Sequence, residues 1–373
     1  MKTVKIVAFA LVVGLAMSAA AAPKYYAKLT ASGYSGASTL TNFPVLVRIS
    51  GAKISGFSYS QCAANGADIS FVAADGTTLV HEIDTWNPEG ESLVWVKLPE
   101  LATNTTFKIG WGSGESSSVT ASDTWPGYLF VWHLDDATGA KKCANSSPYG
   151  TTYDATVIDS DPTHGALQKL YFGEGDAAAP IGGARCFTES TASWYSFLKM
   201  TNDYNSAIGT PSKFTVSTWI YAATNSSGAV WGDNNYKCLQ LFRNKASSLW
   251  DTGGFWAETV SPTGLKVYGN TSQGGPITIP SLTARWAHVA IVYDDTKATV
   301  YVDGIACGSV TIAAVAQHAT NFQLCSSVWF PRADECRLMK GAASADWVKA
   351  DYDTVKKADF LTCKSQGFML LVR

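Results

Sequence analysis

Arg285–Gly304, RWAHVAIVYDDTKATVYVDG, is the stretch whose reading decides the fold. Two runs rich in Val, Ile, Tyr and Ala, Trp286–Tyr293 and Ala298–Asp303, flank a short polar turn at Asp294–Lys297. That is the pattern of an antiparallel hairpin. Strands with one wet face alternate apolar and polar residues, but here nearly every residue is apolar. The hairpin is therefore expected deep in a sandwich, covered on both faces. It is scaffold, and function is expected in the loops around it.

Outward from the hairpin, Phe214–Tyr221 (FTVSTWIY), Ala229–Gly232, Cys238–Phe242, Gly254–Val260 and Leu265–Tyr268 read as short strands at fairly regular spacing. Tyr128–Leu134 (YLFVWHL) opens the same unit, and many short strands with polar turns argue for a sandwich or jelly roll. Ser344–Lys357 predicts a helix, with Ala345, Val348 and Tyr352 at helical intervals and Ser344 as N-cap. Further upstream, Tyr25–Thr30, Phe43–Ser50, Ala67–Trp86, Ser92–Leu98 and Thr105–Trp111 form a separate, compact β unit. Gly112–Asp123, GSGESSSVTASD, has no hydrophobic periodicity and reads as a linker. The expected plan is a signal peptide over 1–22, a small β-sandwich-like domain over 23–111, a Gly/Ser/Thr linker over 112–126, a jelly roll over 127–343 and a helical tail over 344–373. No repeat of fixed period is visible, which disfavours a propeller or solenoid.

Composition agrees with an all-β class. Among 373 residues, hydrophobic types make up 46%, aromatic types 12% and charged types only 16%, which is wrong for a helical bundle or a disordered chain. A formal net charge of −2 without basic runs leaves no electrostatic footprint for nucleic acid. Lys2 and Lys5, the apolar run Ile6–Met17 and the small residues Ser18–Ala22 form an export signal. The run is shorter than the roughly 20 residues of a spanning helix, so no membrane span is expected after cleavage. The mature chain is then placed in the periplasm, at the cell surface or outside the cell. In that setting the eight cysteines, 62, 143, 186, 238, 307, 325, 336 and 363, are expected to form paired disulfides. No CxxC pair supports a cysteine-ligated zinc site.

FPVLVRIS, ADISFVAADGTTLVHEIDTW, LVWVKLPEL and TTFKIGWGS, in this order over about Tyr25–Ser113, resemble a bacterial domain of unknown function. That domain commonly precedes laminin-G-like domains in exported proteins. VWHLDD, FTVSTWI, RWAHVAIVYDDTKATVYVDG and DECRLMKGAASADWVKADYD, over about Gly127–Asp353, resemble the laminin-G-like, concanavalin A-like jelly roll. The resemblance implies two-sheet sandwiches that bind glycans, proteins or lipids, often with calcium at the rim, and a minority of glycoside-cleaving enzymes.

The chemistry that such a resemblance raises can be weighed residue by residue. Glu82-Ile83-Asp84-Thr85-Trp86-Asn87 approaches the Glu-x-Asp-x-x-Glu string of laminarinase-type glycosidases, where carboxylates about 5–5.5 Å apart act as nucleophile and acid/base. The last position is Asn87, which cannot deliver a proton, so the string reads as a strand edge leading into Pro88. His133 and His288 lie in apolar strands and read as hydrogen-bonded structural histidines. The acids Asp135, Asp136, Asp294, Asp295, Asp334 and Glu335 could include calcium ligands, and Asp135 and Asp136 are the preferred pair because they end the first jelly-roll strand. Sugar rings stack on Trp and Tyr while amides and carboxylates bond hydroxyls. Trp231, Asp233, Asn234 and Tyr236, with Trp250 and Trp256, are therefore the candidate ligand-binding residues. The expected function is an exported, non-catalytic binding or adhesion protein, carbohydrate-binding through the jelly roll, with a glycan or surface protein as partner. A glycoside hydrolase or polysaccharide lyase of the same superfamily is the alternative, and a structural module of an envelope complex the second.

Overall fold

The computed structural model describes residues 21–136, 142–159, 179–186, 196–200, 202, 207, 213–221, 240–241, 243–244, 255–261, 263–269, 272–312, 322–325 and 332–364. The first domain contains β1 (Tyr25–Thr30), β2 (Leu40–Ile49), β3 (Ser70–Ala73), β4 (Thr78–Leu79), β5 (His81–Thr85), β6 (Ser92–Leu101) and β7 (Thr106–Trp111). The second opens with β8 (Tyr128–Trp132), β9 (Lys142–Cys143), β10 (Ala155–Asp159), β11 (Arg185–Cys186), β12 (Ser196–Met200) and β13 (Lys213–Tyr221). It continues through β14 (Gln240–Leu241), β15 (Arg243–Asn244), β16 (Phe255–Ser261), β17 (Gly264–Gly269), β18 (Ser272–Gln273) and β19 (Ile277–Thr278). β20 (Trp286–Asp294), β21 (Lys297–Val302), β22 (Ile305–Thr311), β23 (Phe322–Cys325) and β24 (Arg332–Lys340) complete it. Helix α1 (Ala345–Lys356) and β25 (Thr362–Cys363) follow.

The jelly roll is built on the sheet β11-β24-β13-β20-β21-β22, with β8 also paired to β24. The sheets β15-β23-β12-β10-β9 and β14-β16-β17-β18 complete it, and one apolar core joins Leu198, Leu324, Phe255 and Val267 of these to Val289, Ile291 and Val300. The organising hairpin is β20–β21, in register from Val289↔Val302 to Asp294↔Lys297. Its period of two explains why both faces are apolar. Ala287, Val289, Ile291 and Tyr293 enter the jelly-roll core. Ala290 and Val292 pack with Tyr301 against Val348 of α1.

Helix α1 forms as its local signals require. Ser344 Oγ accepts from Trp347 N at 3.1 Å, Asp346 sits in the first turn, and Lys356 in the last. Its buried residues include Val348, Ala350 and Val355, and it packs between the domains. Trp347 meets Phe43 of β2 edge-on at 5.0 Å, and Leu46 N donates to Thr354 Oγ1 at 3.0 Å. Beyond the helix, β25 pairs with β1 (Leu29↔Cys363), so the chain's end completes a sheet of the first domain, β25-β1-β7-β3-β4. Residues 112–117 are held to that domain by Asp68, whose Oδ2 accepts from Gly112 N and Gly114 N, and by Ser117 N donating to Ala67 O.

A second apolar cluster lies between the domains. Leu46, Leu93 and Trp95 of the first meet Trp125, Tyr128, Val131, Ile181 and Trp219, together with Val355 of α1. Cys62, Cys307, Cys336 and Cys363 are free thiols, which corrects the expectation of disulfides at these four positions. Cys336 fills the jelly-roll core as a small apolar side chain, and Cys62 and Cys363 pack against the core of the first domain. No helix among the described residues is long and apolar enough to cross a membrane.

Candidate functional site

Charged side chains converge on this same junction, and strand parity brings them there. In β5, His81 meets Phe71 edge-on and Ile83 packs on the first domain's core, so Glu82 and Asp84 face the other way, into the junction. In β24, Ala333, Cys336 and Leu338 enter the jelly-roll core. Strict alternation would carry Glu335 in with them. A β-bulge prevents this: the register slips between Ser217↔Arg337 and Trp219↔Asp334, setting Glu335 and Cys336 against Thr218. Glu335 takes φ +52, a left-handed backbone uncommon for a non-glycine residue, and its carboxylate faces the junction. His133 arrives from the end of β8, while the next residue, Leu134 at φ +65, enters the core.

His133 is the hub. Its Nδ1 lies 2.7 Å from Glu335 Oε1 and 3.2 Å from Asp84 Oδ2, and its Nε2 lies 3.3 Å from Glu82 Oε2. Trp125 Nε1 donates to Glu82 Oε2, Trp95 Nε1 to Asp84 Oδ2 at 3.3 Å, and Thr85 Oγ1 to Asp84 Oδ1 at 2.8 Å. Arg337 donates to Glu335 Oε2 through Nε at 2.9 Å and through Nη2, and to Asp351 Oδ1 through Nη1 at 3.0 Å. Its guanidinium stacks 4.2 Å from the Trp95 ring and 4.8 Å from Trp125. His288 Nε2 approaches Asp351 Oδ2 at 3.3 Å. Gly182 closes the cluster from the loop before β11: a Cβ there would lie 2.8 Å from Thr85 Oγ1 and 3.2 Å from Asp84 Oδ1.

Burial and charge pull the titratable groups apart. For Asp84 burial prevails over the imidazole beside it and pushes the carboxyl up to about 6. Burial, joined by the charge of Glu335, raises Asp334 well above the usual carboxylate range. In Glu335 burial is outweighed by Arg337 and His133, and in Glu82 by the charge of His133 and hydrogen bonds from His133, Ser146 and Trp125; both lie below their ordinary value. Burial works against the charge of His133, but Glu335, Glu82 and Asp84 together hold the imidazole protonated well above its ordinary range. The three atoms His133 Nδ1, Asp84 Oδ2 and Glu335 Oε1 lie at a mutual spacing open to a metal ion.

Trp231, Asp233, Asn234, Tyr236 and Trp250 lie outside the described residues. Trp256 lies in β16, opposite Tyr268 of β17 in the ladder. Asp135 is exposed at the rim of the cluster, and Asp136 Oδ1 accepts from Ala144 N at 3.0 Å. Glu82, read from the sequence as a strand edge, is buried in the junction because Trp125 and His133 close over β5. Asp84, Glu335, Arg337, Trp95 and Trp125 were not legible as partners of one site. The one local signal was Asp334-Glu335-Cys336-Arg337, three charges inside a strand whose neighbours are apolar.

The architecture defines an all-β protein in which a small β module is docked on a jelly roll. Residues 197–362 match the family model of the concanavalin A-like lectin/glucanases superfamily. Residues 65–146 match that of a domain of unknown function, DUF2341. The chain thus carries both modules, in that order. A comparison with curated proteins returned no match. Among solved structures, the binding domain of Paraclostridial Mosquitocidal Protein 1 is similar at 12% identity and TM-score 0.45, over 61% of this chain and 52% of that one. Domain 4 of an extracellular GH43 arabinanase from Geobacillus stearothermophilus, solved with arabinotriose, is similar at 17% identity and TM-score 0.41, over 61% and 98%. The binding domain of botulinum neurotoxin DC, solved with SialylT, is similar at 10% identity and TM-score 0.42, over 62% and 52%. This chain spans about half the length of those toxin domains.

Proposed function

We propose that this is an exported, non-catalytic carbohydrate-binding protein whose ligand lies on the outer face of the sheet containing β16 and β17. The observation that carries the reading is the ladder pair Trp256↔Tyr268. Phe255, Ala257, Leu265 and Val267 are buried in the jelly-roll core, so the period of two sets residues 256 and 268 on the opposite face. Tyr268 and Lys266 are half-buried there. Aromatic residues at paired positions on one face of a ladder are the residue types on which the C–H face of a sugar stacks. Trp231, Asp233, Asn234, Tyr236 and Trp250 are proposed as further ligand-binding residues, with calcium at Asp135 and Asp136.

The superfamily's description covers both lectins and glucanases, and the position of the carboxylates favours the first. Glu82 and Asp84, which would have to serve a retaining glycosidase, have side chains only 14% and 1% exposed and are engaged by Trp125, Thr85, Trp95 and His133. A polysaccharide has no approach to them. The test is a glycan array followed by calorimetry, with and without calcium. Wild type is expected to bind, and Trp256→Ala and Tyr268→Ala each to weaken binding about tenfold or more, which corresponds to about 1.4 kcal/mol. Absence of binding to any saccharide at millimolar concentration, or undiminished binding with both rings removed, overturns the reading.

A further inference from the structure

We propose that Asp84, His133 and Glu335 form a divalent metal site of the zinc class that ties the two domains together. The proposal stands apart from the carbohydrate reading and uses none of its residues. His133, Asp84 and Glu335 each bring one ligand atom within 4.8 Å of the others, and His133 Nδ1 lies 2.7 Å from Glu335 Oε1 and 3.2 Å from Asp84 Oδ2. Ligands placed 2.0–2.2 Å from a tetrahedral zinc stand about 3.3 Å apart. Both measured separations fall short of that spacing, by about 0.6 and 0.1 Å, so the carboxylates draw back slightly to admit the ion.

The surroundings are those of a metal ligand set. A ligating histidine characteristically presents its other ring nitrogen to a carboxylate, and ligating carboxylates are themselves hydrogen-bonded. Here Nε2 faces Glu82 Oε2 at 3.3 Å, and Trp125 Nε1 holds that oxygen. The second oxygen of Asp84 accepts from Thr85 Oγ1, and the second oxygen of Glu335 accepts from Arg337. Every atom turned away from the centre is therefore fixed, and three lone-pair donors are left converging on one point.

Asp334 supplies an independent observation. It is 0% exposed, its Oδ2 accepts from Ile181 N at 3.0 Å, and its Oδ1 has no hydrogen-bond partner. Next to Glu335 on β24, it leaves a buried carboxylate oxygen without a donor beside the three converging groups. Without metal, a single Nδ1–H must serve two carboxylates at once. A divalent ion replaces that proton, so binding releases protons to solvent. One imidazole with carboxylates suits zinc; calcium prefers six to eight oxygens. Asp84 comes from the first domain, and His133 and Glu335 from the second, so the ion is seated as the domains dock.

The full-length chain, stripped with EDTA and titrated with Zn²⁺, is expected to take up one ion by native mass spectrometry and to gain thermal stability. Calcium should produce neither effect. Co²⁺ in place of Zn²⁺ should give the intense visible bands of a low-coordinate nitrogen and oxygen site. His133→Gln and Asp84→Asn should abolish stoichiometric uptake, and Glu82→Gln, which spares the ligands, should weaken it about 10- to 100-fold. If a ligand variant does not fold, the cobalt spectrum of wild type and the graded loss in Glu82→Gln decide. Wild type that takes up no zinc overturns the site. So does zinc retained equally by folded His133→Gln, or six-coordinate cobalt bands without a nitrogen ligand.

Discussion

The two faces of the central sheet solve one burial problem in opposite ways. Strand β20 presents Ala287, Val289, Ile291 and Tyr293 to the apolar core of the jelly roll. On its other face His288 reaches Asp351, and beyond β13 in the same sheet β24 offers Asp334, Glu335 and Arg337 to the junction. Both faces are closed to water. On the inner face, removing apolar area from water stabilises directly. On the junction face the ion pairs recover little beyond their own desolvation. The net attraction there comes from the indoles of Trp95 and Trp125, at about 200 Å² each. At roughly 25 cal/mol per Å² they contribute on the order of 10 kcal/mol as an upper figure. Aromatic burial docks the domains, and the charges fix their register.

The comparison breaks most visibly at Arg337. This side chain is 3% exposed and is the cation for both Glu335 and Asp351. Arg337→Met keeps an apolar stem between the indoles but takes the guanidinium away from two buried carboxylates, leaving Glu335 to His133 and Asp351 to His288. Removing one partner from a buried pair costs about 3–5 kcal/mol, and urea denaturation should show a loss of that size. A similar cost for Arg337→Met combined with Glu335→Gln would show that packing, and not charge, carried the effect.

Acid tests the same face through Asp351. Burial acts to raise this carboxyl, but Arg337, His288 and Ser217 outweigh it and hold it below its ordinary value. The folded protein then binds fewer protons than the unfolded chain across the window beneath about pH 4. The stabilisation is complete above that pH and is lost as pH falls through the folded value. Thermal midpoints measured from pH 6 downward should drop on this limb. In Asp351→Asn the limb should be shallower, although the midpoint at pH 6 is itself lower.

On the inner face the expected effect is smaller and indifferent to pH. Ile291→Val removes one buried methylene from the β20 core. Such a change costs about 0.5–1.5 kcal/mol, set by how far the site collapses. The same loss at pH 4.5 and pH 7.5, by denaturation at both, would sharpen the contrast with Asp351.

This difference also explains what was legible in the sequence. Trp286–Tyr293 and Ala298–Asp303 could be read as a covered hairpin because apolar periodicity is local, and Ser344 with Ala345, Val348 and Tyr352 marked α1 for the same reason. The junction was not legible, because its members stand far apart: Glu82 is 51 positions from His133, and His133 is 202 from Glu335. Charged residues on strands read as solvent-facing until a second domain is known to cover them. The bulge at Glu335 added a change of parity that no pattern of types announces. Residue 256 was legible as an aromatic next to a Gly-rich segment, and it takes its meaning from the register with Tyr268.

The smallest effect separates buried charge from exposed charge within one helix. Lys349 and Lys357 both donate to Asp353 Oδ2, at 2.6 and 2.8 Å, each four residues away along the chain. Asp353 is buried, but the lysine side chains are 43% and 38% exposed, so water screens the attraction. Two lysines also share one carboxylate oxygen, and either one can hold it when the other is gone. Lys349→Ala should therefore cost no more than about 0.3–0.5 kcal/mol, the range for exposed helical pairs. Most of that should vanish in 1 M salt. A loss near that of Arg337→Met would mean that the helix carries the junction through its surface charges, and the division between the two faces would not hold.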